Sequence, residues 1–225
     1  MKVSISLGGS LLTRGEPAQT FRRYAAALKR LKEMGHTLIV VCGGGKRARE
    51  WIDIARDLDA DARTQDRLGI HATHLNALLL IAALGSDAHP HIHRRSSEIR
   101  RNLGERILVG GGHLPGSSTD YRAVLFAEAA GADRIVNATD VSGVYDMNPK
   151  VHHGAVKLDR INYTQLEKIV RNSCEQTPGK YRLFDLKAVK RASRLGIPLV
   201  FVDGTDPSEI VRAVEGGHSG TVVSG

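Results

Sequence analysis

Leu38-Ile39-Val40-Val41-Cys42-Gly43-Gly44-Gly45-Lys46-Arg47-Ala48-Arg49 is an apolar run that ends on three glycines and continues into a basic segment. The pattern is that of a buried strand delivering the chain to a glycine turn, with a helix beginning behind it. Glycines let backbone N–H groups come close to a ligand. The helix N-terminus adds partial positive charge, so the turn suits an anion, above all a phosphate. Such turns also occur as plain tight connections, and one alone does not separate the two readings. Two more occur here. Val3-Ser4-Ile5-Ser6-Leu7 runs into Gly8-Gly9-Ser10, and Ile107-Leu108-Val109 runs into Gly110-Gly111-Gly112 and then His113-Leu114-Pro115-Gly116-Ser117-Ser118-Thr119-Asp120. Ligands of open parallel sheets sit beyond the carboxyl ends of the strands. Three glycine turns at three strand ends are therefore expected to converge on one crevice.

The rest of the chain agrees with such a sheet. Its 225 residues suffice for one domain, residues 1–225, with a sizeable core. It is 41% hydrophobic but only 4% aromatic, which suits parallel strands covered on both faces by helices. Strands are expected at 3–7, 38–42, 107–109, 134–138 and 198–202. Helical patterns run over Phe21–Met34, Arg47–Leu58, Ile70–Leu84, Ala123–Ala130, Tyr163–Val170 and Lys187–Leu195. This alternation implies a three-layer α/β/α sandwich with a mainly parallel central sheet. Residues 85–104 and 146–160 read as connections or short hairpins, Asn172–Lys180 as a mobile loop, and 216–223 as a turn and a closing strand.

Composition also narrows the function classes. No apolar run reads as long enough to span a bilayer, and Met1-Lys2 leads into a strand rather than a signal peptide, so a cytoplasmic location is expected. Cys42 and Cys174 are too few for a disulfide framework or a zinc site and read as inert thiols. The net charge of +8 fits small anionic substrates. With the basic residues scattered and no RNA-binding aromatic pattern or helix-turn-helix, no nucleic acid and no membrane partner is expected. His89, His91 and His93 alternate and would share one face of a strand, where a transition metal is conceivable; surface histidines in a loop are the plainer reading.

Four features carry chemistry besides the glycine turns. Asp66 precedes Gly69-Ile70, and Ser117-Ser118-Thr119-Asp120 sets hydroxyls and a carboxylate beside the third turn. Thr139-Asp140-Val141-Ser142-Gly143-Val144-Tyr145 follows a strand, and Asp185 opens the helix with Lys187 and Lys190. Glycine amides and cations that hold phosphates, with carboxylates that orient them, are the parts a kinase needs. Each also has a plainer use. Asp66, Ser117, Ser118, Asp120 and Asp185 are of types that cap helices, Asp140 of a type that forms turns, and Tyr145 can pack in the core. Lys46 lacks the GxxxxGK[ST] spacing of a phosphate-binding P-loop and reads equally as a solvated first-turn lysine.

On these residues the chain resembles the amino acid kinase superfamily and, within it, the archaeal-type UMP kinases. The resemblance runs from end to end. It is carried by Ser6-Leu7-Gly8-Gly9-Ser10-Leu11, Gly43-Gly44-Gly45-Lys46 with Arg49, and Asp66 with Gly69-Ile70. Asn76–Leu84, Pro115-Gly116, Thr119-Asp120, Asp140 with Gly143-Val144-Tyr145, and finally Asp185, Ala188 and Gly220-Thr221 complete it. The Gly-Gly-Ser and Gly-Val-Tyr elements occur across the superfamily, whereas the stretch from Gly69 to Leu84 is more specific to UMP kinases.

The resemblance implies phosphoryl transfer from MgATP to UMP, giving UDP and ADP. Gly9, Ser10, Gly45 and Arg49 would contact ATP phosphates, and Thr139, Tyr145 and Asn148 the ATP base and ribose. Gly44, Asp66 and the stretch Leu114, Pro115, Gly116, Ser117, Ser118, Thr119 and Asp120 would hold UMP. Asp140, with Gly9 and Gly45, would organise the reacting groups. Mg²⁺ would arrive with ATP, and the family is usually a homohexamer, a trimer of dimers. Ser6 stands where many superfamily members have lysine, Asn148 where an aspartate is usual, and Ser117-Ser118 where His-Thr is. The rival readings are another small-molecule kinase of the superfamily and a non-catalytic oligomer that stores anions or oxometallates.

Overall fold

A computed structural model describes residues 1–176, with backbone only over 173–176, and residues 183–225. The strands are β1 (Lys2–Leu7), β2 (Thr37–Cys42), β3 (Leu108–Gly110), β4 (Arg134–Thr139), β5 (Val144–Tyr145), β6 (Lys157–Leu158), β7 (Arg160–Asn162), β8 (Leu199–Asp203) and β9 (Thr221–Ser224). The helices are α1 (Gly9–Leu12), α2 (Pro17–Glu33), α3 (Gly45–Asp57), α4 (Ala62–Leu84), α5 (Ser96–Asn102), α6 (Thr119–Ala130), α7 (Tyr163–Gln176), α8 (Leu186–Leu195) and α9 (Pro207–Glu215). Seven strands form one sheet in the order β3-β2-β1-β4-β8-β9-β7, and β5 with β6 makes a separate antiparallel hairpin. Every pair in the large sheet is parallel except β8 with β9.

The pleat separates two cores. Along β2, Leu38, Val40 and Cys42 join residues of α2, α4 and α9 in one cluster, while Ile39 and Val41 join Ile99 of α5 and Phe126 of α6 on the other face. β8 divides likewise, with Val200 and Val202 on the first face and Leu199 and Phe201 against α7 and α8. This alternation is the period of two expected of strands buried on both sides, and it establishes the three-layer sandwich. The same alternation turns Ser4 and Ser6 of β1 toward α6, where Ser4 Oγ donates to the Ala123 carbonyl at 2.8 Å.

The expected elements are present, with boundaries set by caps. α2 begins at Pro17, whose missing N–H costs nothing in a first turn. α4 begins eight residues before Ile70, because the Asp61 side chain accepts from Thr64 N. Asp66 therefore lies within this helix and is not its cap. Residues 85–104 hold a 3₁₀ turn and α5, and 144–158 close as the β5–β6 hairpin. The loop expected over Asn172–Lys180 is corrected in part: Asn172–Gln176 continue α7, and 177–180 lie outside the described residues. Cys42 is fully buried and its thiol is pushed up to about 12 by that burial, as an inert thiol should be; the Cys174 side chain lies outside the described residues.

One expectation fails. The segment Ala62–Asp87 is long and apolar enough, by length and composition, to cross a membrane. Its inner face nevertheless packs into this fold through Ala72, Ala77, Leu80 and Leu84, and its polar Thr73, His74 and Asn76 bond to the glycine turns. Fully buried Leu80 ties this helix to the sheet. Leu80→Ala should lower the unfolding free energy by about 2–5 kcal/mol, read as a lowered urea midpoint at unchanged slope.

Candidate functional site

The strand order places β2 and β3 on one side of β1 and β4 and β8 on the other, so the chain reverses its direction of winding beside β1. Such a switch point leaves a crevice at the carboxyl ends of the strands. Residues 8–10 leave β1 there, residues 43–45 leave β2, and residues 139–140 end β4.

The first two glycine turns interlock, backbone against backbone. A Cβ on Gly9 would meet the Gly45 amide and lie 2.5 Å from the Gly43 carbonyl, and one on Gly45 would meet the Gly9 carbonyl. Gly45 also has φ +69, which a side chain resists. Gly43 N donates to Leu7 O and Gly8 N to Ala138 O, both at 2.9 Å. Asn76 of α4 donates from Nδ2 to the Gly43 carbonyl at 2.7 Å and to that of Gly44 at 3.3 Å. The amides of Gly9, Ser10, Gly44 and Gly45 meet no hydrogen-bond acceptor among the described residues. All four lie at the starts of α1 and α3, where the first amides of a helix have no partner within it and suit an anion. Those four belong to the residues expected to face the two nucleotides.

The third turn has a different purpose. Gly112 N donates to Thr73 Oγ1 at 2.8 Å, and the Gly112 carbonyl lies 2.7 Å from His74 Nε2. A Cβ on Gly111 would lie 2.7 Å from Thr73 Oγ1, and one on Gly110 2.6 Å from the Phe126 ring. Here glycine admits α4 and α6 to the strand end, and the Gly112 amide is not free for an anion. Of the three expected anion turns, this one is corrected at Gly112.

Beside it lies a pocket of about 140 Å³ between the first half of α4 and the loop 114–119. Asp66, Leu114, Pro115, Gly116, Ser117 and Thr119 line it with Gly69, Ile70, Thr73 and Gly112. Asp66 Oδ2 accepts from Gly116 N at 2.7 Å, and Gly116 takes φ +71. The helix and the loop are thus joined across the pocket. Ser118 is not part of this lining; its Oγ accepts from Tyr121 N at 3.0 Å and caps α6, the plainer use foreseen for it. Asp120, in the first turn of α6, faces β1 instead, where Ser6 Oγ donates to its Oδ1 at 2.8 Å. Burial raises the Asp120 carboxyl to about 6; the Ser6 hydroxyl pulls it down and nearby Asp185 pushes it further up. Asp185 itself caps α8, accepting from Lys187 N at 2.7 Å.

Across the crevice, Asp140 is held differently. Lys150 Nζ lies 2.8 Å from its Oδ2, and Thr139 Oγ1 3.4 Å from Oδ1. Burial alone would raise this carboxyl, but the Lys150 ammonium outweighs it and holds Asp140 below the usual range. Tyr145 Oη and Ser142 Oγ are 2.7 Å apart, and Asn148 Oδ1 accepts from Lys150 N at 3.0 Å. Lys150 was not among the expected residues; nothing in the pattern of 146–160 marks it. Asn76 was read only as part of a helix. Lys46 pairs with Glu50 at 3.6 Å on the outside of α3, where Arg49 is also exposed.

Among the described residues, no three His, Cys, Asp or Glu side chains gather to hold a metal ion. His93 is buried, with Nδ1 3.2 Å from the Val109 carbonyl and Nε2 3.1 Å from Asn102 Nδ2, so the 89–93 histidines do not form the metal face conceived for them. The oxometallate reading loses that support.

Residues 1–203 match the amino acid kinase family. The chain is 40% identical to a uridylate kinase of Methanococcus maripaludis strain C6, each covered in full. It is 39% identical to that of Hyperthermus butylicus, with 99% of this chain and 98% of the relative covered. The solved structure of uridylate kinase from Archaeoglobus fulgidus superposes with a TM-score of 0.88 at 39% identity over the whole of both chains. That of UMP kinase from Bacillus anthracis, at 22% identity, shares the fold with a TM-score of 0.82.

The half-buried Asp120 carboxyl, raised to about 6, destabilises the folded chain once ionised. Its favourable contribution is complete below the ordinary value near pH 3.8 and is lost as pH rises through 6. Asp120→Asn should therefore stabilise the free protein by about 2 kcal/mol at pH 8, the gain closing toward pH 4. Denaturant midpoints at the two pH values check this.

Proposed function

The chain belongs to the amino acid kinase family, and from that membership we propose that it is a UMP kinase transferring the γ-phosphoryl group of MgATP to UMP. The observation that carries the proposal is the set of four unpaired amides on two interlocked glycine turns at the sheet's switch point. They stand between a pocket built by Asp66 and the 114–119 loop and a carboxylate at the end of β4. Free amides fixed toward one crevice suit phosphate oxygens and need no reorganisation as charge shifts during transfer.

In this reading UMP occupies the Asp66 pocket, with Gly44 and residues 114–120 around it, and Asp66 takes the ribose hydroxyls. ATP lies over Gly9, Ser10, Gly45, Arg49, Thr139, Tyr145 and Asn148. Its magnesium comes with the triphosphate. The chain's part is to hold two phosphates in line and exclude water, with no covalent enzyme intermediate. We assign the enzyme to the cytoplasm and to a homohexamer, with residues 1–225 as a single domain. In support of self-association, α4 turns Leu75, Leu78 and Leu79 outward and α3 turns Trp51, Ile54 and Leu58 outward, each about half exposed or more. Apolar faces of this kind mark interfaces.

A screen following ADP release with UMP, CMP, acetylglutamate and isopentenyl phosphate tests the proposal. Release with UMP well above the others is expected; none with UMP rejects it. Asp140→Asn should cut turnover by about 10²-fold or more while the fold persists, and near-normal turnover would refute its organising role. Asp66→Ala, which frees Gly116, should raise KM for UMP by about tenfold with KM for ATP unchanged, as initial rates will show.

A further inference from the structure

We infer that Lys150 binds the phosphates of the donor nucleotide, bringing to them the positive charge that position 6 does not supply. This rests on the kinase reading above and assigns a residue to it.

β1 and β4 run parallel in the register Leu7↔Ala138, and Gly8 N donates to Ala138 O. The residues leaving the two strands, 8–10 and 139–140, therefore emerge side by side at the crevice. Lys150 is carried to that edge by the ion pair of its ammonium with Asp140. The loop that delivers it is built for the purpose. The β5–β6 hairpin closes its base, with Asp146 N donating to the Val156 carbonyl at 3.1 Å and Asp146 Oδ1 accepting from Val156 N at 2.8 Å. At its tip, Asn148 Oδ1 accepts from Lys150 N, and the Asn148 carbonyl accepts from Val151 N and His152 N.

Position 6 and Lys46 are placed otherwise. Ser6 is neutral and gives its hydroxyl to Asp120, and Lys46 faces Glu50. The Lys150 side chain is about half exposed, so it stays open to solvent beside Asp140. An ion pair this exposed adds little to stability, which leaves fold maintenance a weak reason for so many loop contacts. Asn148 fits the same purpose. An amide oxygen holds the Lys150 backbone as a carboxylate would, without adding a second negative charge that would compete with a phosphate for the ammonium.

The test compares wild type, Lys150→Met and Lys150→Arg in direct binding of β,γ-imido-ATP, adenosine and UMP, with unfolding midpoints alongside. Lys150→Met should bind the ATP analogue about tenfold or more weakly, while adenosine and UMP stay within about twofold. Lys150→Arg should recover most of the loss. Unchanged binding of the analogue by Lys150→Met overturns the inference, leaving Lys150 a structural partner of Asp140. Equal weakening for adenosine and the analogue overturns it too, since that signals a distorted loop. A wild-type chain that binds the analogue but does not phosphorylate UMP defeats the UMP kinase reading and not the assignment of Lys150.

Discussion

The approach of Gly9 to Gly45 is the contact on which the site depends. Two neighbouring parallel strands end together, and the backbones beyond them touch with no room for a Cβ on either side. Four hydrogen bonds hold the arrangement: Gly43 to β1, Gly8 to β4, and Asn76 to the carbonyls of Gly43 and Gly44. A buried backbone donor or acceptor left unmade costs about 1–3 kcal/mol, so each bond penalises any separation of the turns. The unpaired amides at Gly9, Ser10, Gly44 and Gly45 are the remainder after this fixing. Their direction is set by the sheet, and a ligand meets donors already in place.

α4 shows how one helix answers two demands. Its apolar inner face builds the core, while Thr73, His74 and Asn76 bond to the second and third glycine turns. Its first half also carries Asp66, which holds the 114–119 loop through Gly116. A single rigid element thus sets the spacing between the glycine amides and the acceptor pocket. Such sharing explains its composition: apolar residues face both inward and outward, while polar residues meet the glycine turns and the 114–119 loop.

The strands of the large sheet other than β7 were legible, chiefly because runs such as 38–42 and 134–138 are buried on both faces, and burial writes itself into consecutive residues. α1, α5 and β5 to β7 were not, being too short to show a period, and α9 too ended unread among glycines and a proline. The crevice at the strand ends was legible through its glycines and acidic residues, and Asp66 meets the 114–119 loop at Gly116. What escaped was pairing across long separations. Ser6 meets Asp120 only because the pleat turns even positions of β1 toward α6. Lys150 meets Asp140 only because an irregular loop closes on a hairpin. Gly112 read as an anion turn because composition alone does not distinguish a glycine that clears space for a ligand from one that clears space for a helix.

The two carboxyl groups of the crevice are driven apart in proton affinity by their surroundings. Burial raises Asp120 to about 6 against the pull of the Ser6 hydroxyl; the Lys150 ammonium outweighs burial at Asp140 and lowers it. Divergent environments for two like groups commonly mark divergent roles. In the proposed reading, the Lys150–Asp140 pair on the donor side can exchange a carboxylate for a phosphate at little electrostatic cost, since the ammonium keeps an anionic partner throughout. Asp120, proposed for the acceptor side, feels the charge of nearby Asp185, so an incoming monophosphate would add its charge to a region that already resists one. Holding an acceptor phosphate there would then depend on neutral backbone donors. That returns the burden to the backbone of Gly44, where the strand β2 delivers it.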